Sequence, residues 1–357
     1  MSDCVLVALS GGVDSAVAAY LLKNSGYSII GATMQLMPCR ESDGIRRDSC
    51  CSFRGIESAR RICNHIGIQH TVVDLTEEFE RNVISYFVEE YSLGRTPNPC
   101  IRCNRLVKFA SLHKRALKMG CTRIASGHYA RVSCSESGRY VLRRGVDLAK
   151  DQSYFLSSLN QEQLTRILFP VGELTKTEVR KKAAEAGILK FTTPESQEIC
   201  FVNGTYQPFV RRRAGGSLGN GLIRDTAGNI LGTHEGIELY TIGQRRGLRV
   251  AGGKPLYVVG IIPSENTIVL GEREDAMSSR LTASEPNWVA WSVPPAGFNA
   301  TVRIRYNHPG AKARVKVVDG KVEVEFEEPQ FAVTPGQYAV FYEDDTVLGA
   351  AVIDFSN

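Results

Sequence analysis

The segment Ser10-Gly11-Gly12-Val13-Asp14-Ser15 constrains this chain most, because it joins a short apolar run to a helical pattern. The apolar run Val5–Leu9 is typical of a buried strand, and Asp14–Asn24 has the spacing of an amphipathic helix. Glycines let a backbone approach an anion closely, and a helix N-terminus offers unpaired N–H groups to it. The sequence therefore predicts a phosphate-binding turn between a strand and a helix.

The residues of this turn also predict which phosphate chemistry it serves. Ser10 and Ser15 add hydroxyl donors, and Asp14 is expected to help hold Mg²⁺ on a polyphosphate. The Gly-x-x-x-x-Gly-Lys-[Ser/Thr] loop of enzymes that cleave the γ-phosphate is absent from the sequence. The turn resembles the PP-loop of ATP pyrophosphatases, and that resemblance implies transfer of AMP from ATP with release of pyrophosphate.

Strand-like and helix-like segments alternate from residue 1 to about residue 200. The predicted strands are Val5–Leu9, Tyr27–Met34, His70–Leu75 and Thr122–Ser126, and the predicted helices are Asp14–Asn24, Arg54–Ile66, Phe79–Tyr91 and Asn104–Lys118. Thr175 and Glu178 have capping-box spacing and predict a further helix that ends at Gly187. This alternation predicts an α/β domain with a doubly wound parallel sheet.

The sequence changes character after about Gly204, where glycines become frequent and helical periodicity ends. Beyond residue 281 the chain is β-like, and Asp319-Gly320 predicts a hairpin turn between two alternating segments. We expect a PP-loop catalytic domain over residues 1–204, a small central β-rich module over 205–280 and a C-terminal β-barrel over 281–357.

The composition indicates the cellular compartment of the protein and the redox state of its cysteines. No run approaches the roughly 18 apolar residues of a membrane span, and no cleavable leader precedes the first strand. We therefore expect a cytoplasmic protein with no membrane partner. Its ten cysteines are then expected to be thiols and not a disulfide framework. Core or surface thiols are expected at Cys4, Cys39, Cys63, Cys121 and Cys134, and Cys50 and Cys51 are given no role.

The segment Thr96–Asn104 contains the pair of cysteines with the strongest chemical context, Cys100 and Cys103. Its two prolines predict a stiff, extended approach, and Asn104 is a suitable N-cap for the helix that follows. Cys103 would then lie beside a helix N-terminus with Arg102 next to it, which favours a nucleophilic thiolate. Half of a structural zinc site is the alternative, but no second Cys-x-x-Cys pair exists in the sequence.

Five motifs, taken together and in this order, identify a family. They are Ser10–Ser15, Thr96–Asn104, Asp151-Gln152-Ser153-Tyr154-Phe155-Leu156, Ser196-Gln197-Glu198-Ile199-Cys200-Phe201 and Tyr240–Leu248. The combination resembles the bacterial tRNA-specific 2-thiouridylases from about residue 4 to the C-terminus. The resemblance implies ATP-dependent adenylation of the wobble uridine U34, followed by transfer of persulfide sulfur to C2. The products would be 2-thiouridine, AMP and diphosphate.

The same resemblance implies roles for individual residues. Cys200 would be the persulfide intermediate, loaded by an upstream sulfur-carrier protein or by sulfide. Cys103 would be the nucleophile and would form a transient disulfide with Cys200. The implied ATP contacts are Ala8, Leu9, Ser10, Gly11, Gly12, Val13, Asp14, Ser15, Met34 and Gly127. The implied tRNA contacts are Lys150, Asp151 and Gln152, together with Arg305 and Tyr306, which we expect on a barrel strand.

Cys100 departs from the pattern of those family members that have an aspartate at this position, proposed there as an acid/base near the target base. The sequence then offers three thiols, Cys100, Cys103 and Cys200. Three cysteine ligands with one open iron position would suit a [4Fe–4S] cluster. The cluster and the persulfide–disulfide relay both remain open at this point, and the role of Cys100 depends on which is right.

Binding of tRNA requires cations for its phosphates and access to an extruded base. The candidates for phosphate contacts are Arg102, Arg105, Lys108, Lys114, Arg115, Lys118, Arg211, Arg212, Arg213, Arg245 and Arg246, although the arginine triplet could be a solvated linker. The alternative functions are another PP-loop RNA modifier, of the lysidine synthetase or cytidine thiolase type, and a non-catalytic RNA-binding protein. The motifs at 151–156 and 240–248 disfavour the first, and the intact loop with Cys103 and Cys200 disfavours the second.

Overall fold

The structure is a computed structural model, and it describes residues 4–38, 53–193, 199–215, 219–250 and 254–354. The chain divides into two compact units. The first contains residues 1–84, 99–204 and 345–347, and the second contains residues 85–98, 205–344 and 348–357. Cys39, Cys50, Cys51 and residues 194–198, which include the first three residues of the Cys200 motif, lie outside the described residues.

A five-stranded parallel sheet forms the centre of the first unit. Its strands are β1 Cys4–Ala8, β2 Ser28–Gln35, β3 Gln69–Asp74, β4 Arg123–Ser126 and β7 Ile167–Leu168, in the order β3-β2-β1-β4-β7. The central strand β1 is fully enclosed, as its unbroken apolar sequence requires. The predicted α/β class with a parallel sheet is confirmed. Because β1 and β4 are neighbours, Ala8 and Ser126 lie side by side at the carboxyl end of the sheet.

Helices cover this sheet on both faces, as the alternation predicted. They are α1 Val13–Asn24, α2 Phe53–Ile66, α3 Thr76–Phe79, α5 Pro99–Arg102, α6 Leu112–Lys118, α7 Ser153–Leu156, α8 Gln161–Leu164 and α9 Lys176–Glu185, with π-helices at Glu80–Ile84 and Cys103–Ser111. The capping box of α9 is present in both directions, between Thr175 and Glu178. Apolar residues of β1, α1 and α2 form the core between these layers.

Two features of the first unit depart from the simple alternation. A hairpin of β5 Ala130–Cys134 and β6 Tyr140–Arg144 follows β4. Cys4 and Cys121 are joined in a disulfide, so the expectation that both are thiols is wrong. They meet because the chain enters β4 beside the start of β1, where the Thr122 N–H donates to the Cys4 carbonyl oxygen at 3.1 Å.

The second unit contains two β structures and two longer helices. The helices are α4 Ser85–Ser92 and α10 Tyr206–Arg213. A four-stranded sheet has the order β10-β11-β8-β9, with β8 Gly221–Asp225, β9 Ile230–His234, β10 Tyr257–Ile262 and β11 Thr267–Gly271. Its small core includes Val258 and Ile268, both fully buried.

Six further strands close into a barrel. They are β12 Met277–Trp288, β13 Gly297–Arg303, β14 Ala311–Val318, β15 Lys321–Phe331, β16 Tyr338–Glu343 and β17 Thr346–Ile353. The order β12-β15-β14-β13-β16-β17 is closed by pairing of β12 with β17, which confirms the predicted barrel. The predicted turn joins β14 to β15, with φ of +50° at Asp319 and +77° at Gly320. Positive φ at both positions matches the right-handed twist of the hairpin.

No helix within the described ranges is long and apolar enough to cross a membrane.

Candidate active site

The turn between β1 and α1 is shaped by its own two serines. The Ser15 hydroxyl donates to the Gly12 carbonyl oxygen at 3.0 Å and accepts from the Ser10 N–H at 3.2 Å. The Ser10 hydroxyl oxygen accepts from the Gly12 N–H at 3.3 Å. At Gly11 φ is +80°, and a Cβ there would lie 2.7 Å from the Gly55 carbonyl oxygen. The turn is thus a pre-formed backbone cradle that tolerates only glycine at this position.

Gly127 touches the same turn from β4. A Cβ on Gly127 would lie 2.5 Å from the backbone carbon of Asp14 and 2.5 Å from the backbone nitrogen of Ser15. The first turn of α1 therefore rests directly on the backbone of Gly127, which the sequence predicted as an ATP contact. The other predicted ATP contacts follow the same edge, with Ala8 and Leu9 buried at the end of β1 and Met34 half-buried near the end of β2.

The carboxylate of Asp14 is held by two side chains from distant parts of the sequence. Lys176 Nζ donates to Oδ1 at 2.7 Å and to Oδ2 at 2.9 Å, and the Tyr129 hydroxyl donates to Oδ1 at 2.8 Å. The Lys176 side chain is only 11% exposed. Any Mg²⁺ bound by Asp14 would share this carboxylate with Lys176. Sequence reasoning missed Lys176, since only its position in the capping box marks it locally.

Cys100 and Cys103 lie on one helical stretch, α5 followed by the π-helix Cys103–Ser111, here called the cysteine helix. The prediction that Asn104 caps this helix is wrong, because Pro99 already occupies the first helical position, which suits a residue without an N–H. Asn104 is instead a buried helical residue, 3% exposed. Both cysteines are thiols and half-buried. Cys103 is the first residue of the π-helix, and π-helical turns are frequent at functional sites.

Seven residues before Cys200, Thr193 contacts the turn Ser10–Ser15, here called the ATP turn after its predicted ligand. The Thr193 N–H donates to the Gly11 carbonyl oxygen at 2.9 Å, and Thr193 forms a β-bridge with Gly12. Beyond Cys200, the ring of Phe201 lies edge-on to Phe79 with 5.6 Å between centroids. Phe79 ends α3, which contacts the π-helical part of the cysteine helix. Thr193 is thus bonded to the ATP turn, and Phe201 packs against a helix that contacts the cysteine helix.

The three thiols do not form a metal site in this arrangement. Within the part of the chain that the structure describes, no three His, Cys, Asp or Glu side chains are grouped so that they could hold a metal ion, and Cys100, Cys103 and Cys200 are included in that statement. A cluster with these three ligands does not fit the placement of the side chains. The predicted disulfide between Cys103 and Cys200 stays a prediction, since both are thiols here.

A chain of polar side chains connects the cysteine helix to the end of β4. Lys108 Nζ donates to Asn104 Oδ1 at 2.8 Å and lies 3.3 Å from His128 Nε2, while His128 Nδ1 lies 2.6 Å from the Ser126 hydroxyl oxygen. Burial and the charge of Lys108 lower the pKa of His128 well below its usual value. An ammonium group has only donors, so Nε2 accepts from Lys108 and the neutral ring has its proton on Nδ1. The sequence did not mark His128.

Two of the predicted tRNA residues, Asp151 and Gln152, take part in internal hydrogen bonds. The Asp151 carboxylate is 4% exposed and accepts from the Gly145 N–H at 3.2 Å and the Ser153 hydroxyl at 3.0 Å. Gln152 Oε1 accepts from the Tyr129 N–H at 3.0 Å. They position the segment after Gly127, and Lys150 beside them is half-buried. Their contact with tRNA stays a prediction.

Arg305 and Tyr306 lie in a turn after β13 and not on a strand, so that part of the prediction is wrong. β13 ends at Arg303, and the His308 N–H closes the turn on the Arg305 carbonyl oxygen at 3.0 Å. Arg305 Nη1 donates to the Phe331 carbonyl oxygen at 3.0 Å.

The other predicted cations of the second unit lie on two elements. Arg211, Arg212 and Arg213 end α10 and are therefore helical, not a linker. Arg211 pairs with Glu235 at 3.1 Å. Arg245 and Arg246 are exposed, and Arg245 lines a cavity of about 410 Å³ with Leu248, Arg249 and Lys254. The ion pair neutralises Arg211, whereas Arg212, Arg213, Arg245 and Arg246 are exposed, and their contact with tRNA phosphates stays a prediction.

Comparison with known proteins covers almost the whole chain. Residues 3–204 match the tRNA methyl transferase HUP domain, residues 207–272 the tRNA methyl transferase PRC-barrel domain and residues 278–353 the Aminomethyltransferase beta-barrel domain. The tRNA-specific 2-thiouridylase MnmA of Lachnoclostridium phytofermentans is 47% identical over 352 residues, which cover 98% of this chain and 99% of that protein. The proteins of the same name from Halothermothrix orenii and Carboxydothermus hydrogenoformans are 45% and 47% identical and also cover 98% of this chain, with 99% and 97% of their own lengths.

Proposed function

This chain belongs to the family of tRNA-specific 2-thiouridylases, and from that premise we propose how its site performs the reaction. It is an ATP-using enzyme that thiolates tRNA. The proposal concerns the individual steps, the residues that carry them and the wobble uridine as the acceptor.

The first step activates the C2 carbonyl of the uridine. The uridine O2 attacks the α-phosphorus of ATP, the bond to the bridging oxygen breaks, and pyrophosphate leaves with the electron pair while the N3 proton passes to water. The backbone cradle Ser10–Ser15 and the N-terminus of α1 bind the pyrophosphate. Mg²⁺ would supply additional charge neutralisation there, with Asp14 as the carboxylate available to it.

The second step delivers sulfur. The terminal sulfur of a persulfide on Cys200 attacks C2, and AMP departs with O2. The Cys103 thiolate then attacks Sγ of Cys200, which breaks the S–S bond, releases the 2-thiouridine and leaves a Cys103–Cys200 disulfide. Two thiols are oxidised in this step, so an external thiol reductant must restore them. A sulfur-carrier protein then reloads Cys200 by transferring the outer sulfur of its own persulfide to the Cys200 thiolate. When sulfide is the source, it attacks Sγ of Cys200 in the disulfide before reduction, which breaks the Cys103–Cys200 bond, releases the Cys103 thiolate and leaves a persulfide on Cys200.

One observation gives this proposal its main support: Thr193, seven residues before Cys200, is hydrogen-bonded to the ATP turn. The 2.9 Å bond between Thr193 and Gly11 joins the two functions through the backbone. One residue after Cys200, the Phe201 ring packs against Phe79, whose helix contacts the cysteine helix. These two contacts, one on each side of Cys200 in the sequence, support the delivery of Cys200 sulfur to a base that is adenylated at the turn and is within reach of Cys103.

Three further statements belong to the proposal. The three-part division at 1–204, 205–280 and 281–357 is supported by the change in sequence character after Gly204. A cytoplasmic location is supported by the substrate class of the relatives. Contacts of Lys150, Asp151, Gln152, Arg305 and Tyr306 with tRNA are supported by the match of their motifs to the family.

The experiment is a reaction with unmodified tRNA, ATP, Mg²⁺, a thiol reductant and a cysteine desulfurase with cysteine as the source of persulfide. Mass analysis of the nucleosides should show 2-thiouridine, with one AMP for each. Cys103→Ser and Cys200→Ser should each lower product formation by about 10³-fold or more, because each removes a sulfur that the relay requires.

Cys134→Ser is the matched control, since Cys134 is an exposed thiol on β5. It should leave product formation unchanged. Full product formation by Cys103→Ser would remove that residue from the mechanism. If the wild type forms AMP but no 2-thiouridine, the proposal that uridine is the acceptor is wrong.

A further inference from the structure

The cysteine helix carries a cation whose charge the sulfur relay does not use. Lys108 lies five residues after Cys103 in the π-helix Cys103–Ser111. In an α-helix, with about 3.6 residues per turn, these positions would be about 140° apart around the axis. In a π-helix the hydrogen bonds run from i to i+5, so residues four or five apart stack. The π-helical backbone therefore brings Lys108 to the side of the helix that carries Cys103.

Neutral groups fix the ammonium of Lys108 in place. Asn104 Oδ1 and His128 Nε2 are its partners, at 2.8 Å and 3.3 Å. Asn104 is itself anchored, because its Nδ2 donates to the Phe155 carbonyl oxygen at 2.9 Å. The His128 ring is held between Phe109 and Phe169, each 5.9 Å away between ring centroids. Together these contacts hold a flexible side chain in one position before any ligand arrives.

The hydrogen-bond partners of Lys108 are neutral. Among the residues that the structure describes, no carboxylate forms an ion pair or hydrogen bond with Lys108; its two partners are an amide and a neutral imidazole. A half-buried cation with neutral partners retains its attraction for an anionic ligand. Burying such a charge costs free energy, so an unneutralised lysine here favours a role in binding negative charge.

The location of this cation selects the anion. His128 follows Gly127, whose backbone touches Asp14 and Ser15, and Ser126 is paired with Ala8 of β1. Lys108 is thus connected through His128 to the backbone that contacts the ATP turn, at the edge of the sheet where the nucleotide phosphates are expected. The phosphate that must be close to both the ATP turn and Cys103 is the one that links AMP to the uridine.

We propose that Lys108, positioned by His128 and Asn104, contacts the α-phosphate in the adenylated uridine and stabilises AMP as it leaves. This inference rests on the proposed function. When sulfur forms its bond to C2, the C2–O2 bond breaks and its electron pair passes to the phosphate of AMP, where the negative charge increases. Lys108 meets that charge as a fixed cation without transfer of a proton. His128 and Asn104 are positioning residues.

The test compares Lys108→Met with Lys181→Met, which removes an exposed lysine from α9 in the same unit. Lys108→Met should lower kcat for 2-thiouridine formation about 10²-fold or more, the usual effect of removing one pre-organised donor to a developing charge. The KM for ATP and the Kd for tRNA should change by less than threefold. Lys108→Arg should recover part of the rate, and Lys181→Met should resemble the wild type.

The positioning role has its own variants. His128→Phe keeps the ring packing and removes the acceptor, and we expect kcat to fall about tenfold with tRNA affinity unchanged. His128→Gln, which can present an acceptor to Lys108, should lose less. These variants decide the question even if Lys108→Met fails to fold.

Two results would overturn the inference. A folded Lys108→Met enzyme with kcat within threefold of the wild type removes Lys108 from the reaction. A loss of tRNA affinity, with a salt dependence shallower by about one phosphate contact, would place Lys108 on the RNA backbone instead. In both cases a wild type that forms 2-thiouridine leaves the proposed function intact, whereas a wild type that forms none contradicts that function and not Lys108 alone.

Discussion

A largely buried lysine, Lys176, contacts Asp14 beside the ATP turn, and a half-buried lysine, Lys108, lies on the cysteine helix. The two charges have different partners. Lys176 forms an ion pair with Asp14 at 2.7 Å, whereas the partners of Lys108 among the described residues are Asn104 and His128. A paired lysine chiefly holds an element in place, since its charge is already matched. A lysine with neutral partners still attracts an anionic ligand. The difference suggests that the ATP turn is built for rigidity and the cysteine helix for electrostatic work.

The largest expected effect on stability is at the paired lysine. Lys176→Met would leave the Asp14 carboxylate with Tyr129 as its remaining donor among the three bonds described above. Removing one partner of a fully buried pair costs about 3–5 kcal/mol, and partial exposure of Asp14 should reduce this to about 2–3 kcal/mol. Denaturant unfolding should show the loss, and the KM for ATP should rise as the turn loosens.

Lys181→Met, on the same helix, is the control, because its ion pair with Glu185 is exposed and long, at 4.0 Å. It should change the free energy of unfolding by less than about 0.5 kcal/mol. The double variant Asp14→Asn with Lys176→Met should recover part of the stability, since no buried charge then lacks a partner. If the Lys176 and Lys181 variants are equally stable, the ion pair of Lys176 does not hold the turn in place, and the contrast drawn between Lys176 and Lys108 is wrong.

A smaller effect is expected from pH at the cysteine helix. The pKa of His128 is depressed in the folded protein, so below about pH 6.5 the unfolded chain binds a proton that the folded chain does not. The contribution of His128 to the free energy of unfolding is therefore fully present above pH 6.5. It decreases as the pH is lowered below that value, by at most about 1.4 kcal/mol per pH unit. His128→Phe should make the fall in unfolding free energy between pH 7 and pH 5.5 shallower. Parallel curves for the two proteins would show that His128 does not stay neutral in the fold.

Much of the fold could be predicted because its signals are local. The apolar run Val5–Leu9, the glycines after it and the capping box at Thr175 each specify structure within a few residues. The hairpin turn at Asp319-Gly320 is equally local, since both positions need positive φ. These are the parts of the prediction that the structure confirms.

The parts of the site that could not be predicted depend on contacts between distant residues. Lys176 meets Asp14 across 162 positions, and Cys4 meets Cys121 across 117. Nothing near Lys108 in the sequence indicates His128, and nothing near Cys103 indicates a π-helix in place of an α-helix. The N-cap prediction for Asn104 was wrong for a local reason, since Pro99 begins the helix five residues earlier.

The central claim is that one site first transfers AMP to O2 of the uridine and then replaces that oxygen with sulfur. A tRNA with ¹⁸O at C2 of the wobble uridine tests it directly, with mass analysis of the AMP formed under the conditions described above. We predict one ¹⁸O atom in the phosphate of AMP for each 2-thiouridine, because O2 departs bonded to the α-phosphorus. Unlabelled AMP formed together with 2-thiouridine, with the ¹⁸O recovered in water, would contradict the account.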